Sequence, residues 1–184
     1  MLGLNRHSAL LLGMSATLLA ADTAPNLNAA RSSLVASYRQ EGVTVDAPFR
    51  LFNGRIVYDA ANPAAATARI TVDMTSYDMG DDHYNAEVRK QPWFDSAGFP
   101  QATFDSNRIK TTGPGHFEAT GALVIKGRSS TVTVPVTATT AAGVTSFSGT
   151  LVISRKTYAI GDPIWEDVID DRVNVRFQLV TAAQ

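Results

Sequence analysis

The sequence predicts an all-β protein, a closed or nearly closed antiparallel barrel of about eight strands with one short helix, and three observations carry that expectation. Apolar and polar residues alternate along most of the chain, turn-forming clusters interrupt the alternation at hairpin intervals, and one charged stretch departs from period two. Period two puts every second side chain on the same face, so antiparallel strands covering a common interior follow. Closure disposes of exposed edges and favours a barrel, with a two-sheet sandwich as the alternative. A barrel of this size either fills its interior with side chains or holds one small ligand, and alternation does not separate the two.

The first element is not part of the barrel. Arg6 and His7 precede the uncharged apolar run Ala9 to Ala21, which stops at Asp22. This is the layout of an export signal, with cleavage expected within residues 20–24. Residues 1–21 are therefore expected to be removed, leaving 22–184 as a single periplasmic domain. The run falls short of the ~20 residues of a membrane-spanning helix, and no later stretch approaches that length.

The alternation then runs through Leu34, Ala36, Tyr38; Val43, Val45, Ala47, Phe49, Leu51; and Ile70, Val72, Met74. At Leu51 and Phe52 the phase slips, and Phe52, Gly54, Ile56 and Tyr58 carry the apolar face onward, which places a bulge or turn there. It resumes with Phe117 to Ile125, Val132 to Ala138, Phe147 to Ile153 and Val173 to Leu179. Turns are expected at Asp59 to Pro63, Gly113-Pro114-Gly115, Lys126-Gly127-Arg128 and Ala141-Ala142-Gly143. From Asp81 to Gln91 acidic residues lead and basic residues follow, and Pro92 ends the run, the charge order of a short helix. Trp93 and Phe94 come directly after it.

Composition narrows the chemistry. The 184 residues are 45% apolar, 18% charged and 8% aromatic, ordinary for one globular domain. Sixteen Lys plus Arg against 17 Asp plus Glu give a formal charge of −1, which offers no basic field for nucleic acid. Cysteine is absent, so disulfides, thiol nucleophiles and Cys-based metal sites are excluded. Of three histidines, His83 and His116 lie beyond the leader. His83 sits beside Asp81, Asp82 and Glu87, which a solvated helix start explains as well as a metal site does. Asp162, Glu166, Asp167, Asp170 and Asp171 lack the alternation of a calcium loop. No nucleophile elbow, phosphate loop or dinucleotide fingerprint occurs. No catalytic residues, metal or cofactor are expected.

Three patches carry a family resemblance. The first is Phe49-x-x-Phe52-x-Gly54 leading into Tyr58-Asp59-x-x-Asn62-Pro63, then Val72-Asp73-x-x-Ser76-Tyr77-Asp78. The second is Trp93-Phe94-Asp95, followed by Phe99-Pro100-Gln101-Ala102-Thr103-Phe104 and Ser106. The third joins Gly121-x-Leu123-x-Ile125-Lys126-Gly127 to Ile153-x-Arg155-x-x-Tyr158-x-Ile160-Gly161 and Trp165, ending in Val173-x-Val175-x-Phe177. From about residue 33 onward the chain resembles the YceI-like family of secreted bacterial proteins. It departs from the usual pattern at Tyr77, where an aliphatic residue is common, and at Tyr158, where Phe is frequent.

The resemblance implies an extended lipocalin-like barrel whose long apolar cavity holds a polyisoprenoid, an isoprenoid quinone or a similar amphiphilic lipid. It also implies a possible context with membrane b-type cytochromes. On that basis the cavity lining is expected to include Phe49, Phe52, Val72, Phe104, Phe117, Leu123, Phe147, Leu151 and Phe177. Trp93, Phe94, Tyr158, Ile160 and Trp165, with Ile164, are expected at a lid or mouth, where a Tyr158 facing the cavity would offer a polar anchor. Arg155 is expected in an ion pair rather than in head-group capture. The expected function is a binding protein or carrier, not an enzyme. Two alternatives stand beside it: an enzyme acting on a lipid-like substrate through Asp73, Asp78, Tyr158 or His83, and a stress-related interaction module with a filled barrel. The sequence does not bear on oligomeric state.

Overall fold

The computed structural model describes residues 25–181; the expected export signal and the boundary at 21/22 lie outside the described residues. Nine strands form one antiparallel sheet: β1 (Ser33–Gln40), β2 (Val43–Pro48), β3 (Phe52–Val57), β4 (Thr67–Asp73), β5 (Gln101–Gly113), β6 (His116–Ile125), β7 (Arg128–Ala141), β8 (Val144–Ser154) and β9 (Arg172–Val180). Their order across the sheet is β2-β1-β9-β8-β7-β6-β5-β4-β3. All neighbours from β4 to β9 are sequential, so hairpins build most of the wall and β1 returns to pair with β9.

The sheet curls until β2 and β3, its two edges, are joined by the three residues between them. Phe49 N–H donates to the Leu34 carbonyl of β1 at 2.9 Å, and Asp73 N–H of β4 donates to the Leu51 carbonyl at 2.9 Å. The chain thus pairs with β1 before the phase slip and with β4 after it. Leu51, placed on the inward face by the alternation, is 60% exposed, because the crossing turns it outward. Val43 is exposed as well, beside the Glu41-Gly42 turn. The other end of the seam is bridged by residues 26–28. The Asn26 side chain donates to the Ile56 carbonyl (2.7 Å) and accepts from its N–H (2.9 Å), while Asn28 N–H donates to the Val180 carbonyl of β9 (2.7 Å). Bridging of this kind satisfies edge groups that otherwise template aggregation.

Turn chemistry sets the hairpins. Lys126 and Gly127 both have positive φ, 48° and 70°, as a two-residue type I′ turn between β6 and β7 requires. β5 was not visible in the alternation. A register shift between Ser106 and Arg108 breaks its period, leaving Ala102, Phe104 and Ser106 in one phase and Ile109 in another.

The charged stretch folds as the expected helix, α1 (Asp82–Val88), shorter than the run that announced it. Asp81 caps it, its carboxylate accepting from His83 N–H (2.8 Å) and Tyr84 N–H (3.2 Å). The helix and the segment 89–99 lie at the end of the barrel where β1, β4, β6 and β8 finish.

Candidate functional site

The interior is not filled. A cavity of about 900 Å³ runs through the barrel, near the upper end of the range for small-molecule sites. It separates the two outcomes that alternation left open, and it removes the filled-barrel alternative. Inward residues divide accordingly. Phe117, Leu123 and Phe147 are buried, whereas Val72, Phe104, Leu151 and Phe177 point inward yet keep part of their surface free, because they face empty space rather than neighbours.

Eight of the nine expected lining residues border the cavity: Phe49, Val72, Phe104, Phe117, Leu123, Phe147, Leu151 and Phe177. Phe52 does not. It packs against the cluster of Ile56, Ile70, Phe147 and Leu179, directly after the crossing that re-aims the strand. Glycines make room for the lining. A Cβ on Gly149 of β8 would stand 2.7 Å from Cζ of Phe177, its partner on β9, so the ring lies flat over the glycine.

An aromatic group stands at each end. At the helix end Tyr77 packs between Phe49 (4.9 Å, tilted at 47°) and Phe94 (5.1 Å, edge-on at 88°). Burial pushes its phenol far above the ordinary tyrosine range, and Tyr38 and Asp46 act in the same direction. At the far end Tyr58 meets Phe117 and Phe147 edge-on. Sequence reasoning assigned no site role to Tyr58 or Tyr77, although each sits at a phase break in the alternation.

Of the expected mouth residues, Trp93, Phe94, Ile160, Ile164 and Trp165 border the cavity at the helix end, joined by Tyr84. Ile164 is 76% exposed and Trp165 41%. Tyr158 departs from expectation. It is 1% exposed, lies in the core cluster of Met74, Ala102, Leu123, Ile125 and Ile153, and does not border the cavity. Burial raises its phenol pKa, with Ser130 acting the opposite way, and the ring belongs to the wall rather than to the cavity lining.

Two cations hold the loops at this mouth through carbonyls. Arg155, expected in an ion pair, instead donates from Nε to Asp170 O (3.1 Å), from Nη1 to Ile160 O (3.0 Å) and from Nη2 to Ile169 O (2.7 Å). Lys126 Nζ donates to Gln91 O (2.6 Å) and Ala159 O (2.7 Å), and burial holds its pKa below the usual lysine range. The loop carrying Ile160 and Trp165 is thereby tied to the loop carrying Trp93.

The candidates for catalysis do not assemble. Asp73 caps a 3₁₀ turn, accepting from Thr75 N–H at 2.8 Å; Asp78 pairs with Arg50 at 2.9 Å; Tyr158 is buried in the wall. His83 alone of the four borders the cavity. His116 lies on the outer surface with a hydrogen bond to Thr137. In the acidic group Asp162 caps a turn at Ile164 N–H, Glu166 pairs with Lys156, and Asp171 accepts from Ser154 Oγ and Lys156 N–H at 2.9 Å. Among the described residues no three His, Cys, Asp or Glu side chains come together as a metal site.

A single curled antiparallel sheet around an apolar cavity, capped by one short helix, defines a lipocalin-like container. The YceI-like domain family model matches residues 26–181, and the chain belongs to this family. Protein YceI of Escherichia coli O157:H7 is 35% identical over 89 residues, 48% of this chain and 44% of that protein, so the match spans under half the length of this curated relative. The crystal structure of Burkholderia cenocepacia BcnA superposes with a TM-score of 0.83 at 36% identity, covering 85% of this chain and all of that one (100%). A domain from Saccharophagus degradans described as polyisoprenoid-binding has the same fold, with a TM-score of 0.71 at 20% identity over 88% of this chain and 99% of that one.

Proposed function

We propose that this chain is a periplasmic binding protein or carrier for an amphiphilic lipid, a polyisoprenoid or an isoprenoid quinone, held tail-inward in the barrel. The observation that carries this reading is the cavity of about 900 Å³ with a wall that is apolar over most of its length. Each methylene-sized group moved from water into such a wall gains roughly 0.8 kcal/mol, so a tail binds without any charged contact. Ordering the tail and immobilising the complex oppose that gain and keep affinity finite. Polar lining is found at the helix-end mouth, where Tyr38, Gln40, His83, Glu87 and Asp162 border the opening, the place for a head group. The likeness to a domain described as polyisoprenoid-binding supports the ligand class.

Purification from a bacterial host, organic extraction and mass spectrometry test this reading. A co-purifying isoprenoid, with its head group read from the same spectrum, is the expected result. A cavity that is lipid-free in every preparation and takes up no isoprenoid would overturn it. The mass of the protein recovered from the periplasmic fraction tests export and cleavage near residue 21.

A further inference from the structure

Tyr58 follows the last residue of β3, and its ring crosses the interior. It stands 5.8 Å from Phe117 at 69° and 5.3 Å from Phe147 at 85°. Phe117 belongs to β6 and Phe147 to β8, three and five places from β3 in the sheet order, so the ring spans opposing parts of the wall. Yet the cavity does not stop there. Pro63, Ala66, Thr67 and Ile109 also border it, at the end opposite the helix, on the β3–β4 connection and the later part of β5. Tyr58 itself lies outside the ladder, whose last β3–β4 pair is Val57 with Thr67; the backbone hydrogen bonds of the connection that follows are local, such as Ala66 N–H to the Pro63 carbonyl, while its Pro63–Ala65 turn packs beside β5. A ring on such a segment can be displaced without breaking strand pairing.

We propose that Tyr58 determines the tail length this cavity takes. With Phe117 and Phe147 it forms a bar against which shorter chains stop, and chains long enough to displace it continue into the space bordered by Pro63, Ala66, Thr67 and Ile109. This inference rests on the lipid-binding reading. Two edge-to-face contacts are modest, so each further isoprene unit buried past the bar repays their loss.

The test is a length series of isoprenoid alcohols, farnesol, geranylgeraniol and solanesol, titrated against lipid-stripped protein by competition with a fluorescent probe. Tyr58→Ala is expected to bind solanesol about tenfold more tightly than wild type while farnesol is unchanged, and Tyr58→Phe, which keeps both ring contacts, to follow wild type. The chain has no cysteine, so a polarity-sensitive dye on Thr67→Cys reports arrival at the far end of the cavity. Its emission should shift to the blue with solanesol and not with farnesol, and this readout needs no change at Tyr58. A Tyr58→Ala variant that binds the series as wild type does, or a dye that answers all lengths alike, overturns the length role alone. If no chain binds any of these proteins, the lipid reading itself falls, and the length role with it.

Discussion

Gly161 leaves the space that the Arg155 guanidinium fills: a Cβ at Gly161 would stand 2.2 Å from Nη1, and the glycine φ of +127° is itself closed to other residues. Arg155 is 6% exposed and closes the 155–170 loop upon itself through the carbonyls of Ile160, Ile169 and Asp170. Removing the guanidinium strands these acceptors, and a buried group left unsatisfied costs about 1–3 kcal/mol.

Arg155→Met is therefore expected to lower the unfolding free energy by roughly 3 kcal/mol, and Gly161→Ala to lower it by more than 1 kcal/mol through both the clash and the φ. The double variant should cost less than the sum, since either change alone already displaces the same side chain. Urea unfolding of the two singles and the double measures this. Simple additivity would show that the two residues act separately.

A second relationship contributes to acid stability. Asp46 of β2 accepts from Ser37 Oγ of β1 at 2.5 Å and pairs with Arg176 of β9 at 2.7 Å, so one exposed carboxylate links three strands. The Ser37 hydrogen bond, then Arg176, hold its pKa below the usual carboxylate range. With the folded value depressed, the unfolded chain binds the proton first as pH falls. The contribution is complete above the unfolded pKa of about 3.9 and disappears as pH drops through the folded value. Asp46→Asn should leave a shallower loss of stability below about pH 4 than wild type shows, by an amount that solvent screening keeps small. Urea midpoints measured from pH 6 to pH 2.5 check it; parallel curves for the two proteins would remove Asp46 from the acid response.

The wall of the barrel was legible because one face of each strand is apolar, and period two survives wherever pairing is regular. It failed where pairing is not. The bulge near Asn107 hid β5, and the crossing at Phe49 to Leu51 sent Leu51 outward and Phe52 into the end cluster. The lining was legible as a set, since inward phase is common to core and cavity. Which inward residues meet empty space depends on the curl of the sheet, and no local pattern encodes that. Tyr158 shows the limit: an amphipathic ring in a loop motif fits a mouth or a wall equally well, and packing against Met74, Leu123 and Ile125, distant in sequence, decides for the wall. Arg155 is similar, because a buried guanidinium satisfied by carbonyls leaves no complementary charge in the sequence to find.

The open interior makes a prediction that runs against the usual behaviour of core positions. Ala119 of β6 is buried and borders the cavity, between Ile109 on β5 and Val134 on β7. In a filled core, enlarging such a residue strains the packing and costs about 1–3 kcal/mol. Beside a void the added ring finds space and buries apolar surface worth roughly 1.5–3 kcal/mol. Ala119→Phe is thus expected to keep or raise the Tm of lipid-stripped protein while cutting isoprenoid binding more than about tenfold, because the ring takes volume that the tail requires. Thermal unfolding and the same fluorescent titration read the two effects separately. A lowered Tm with binding intact would mean that the space beside Ala119 is not the space the ligand uses.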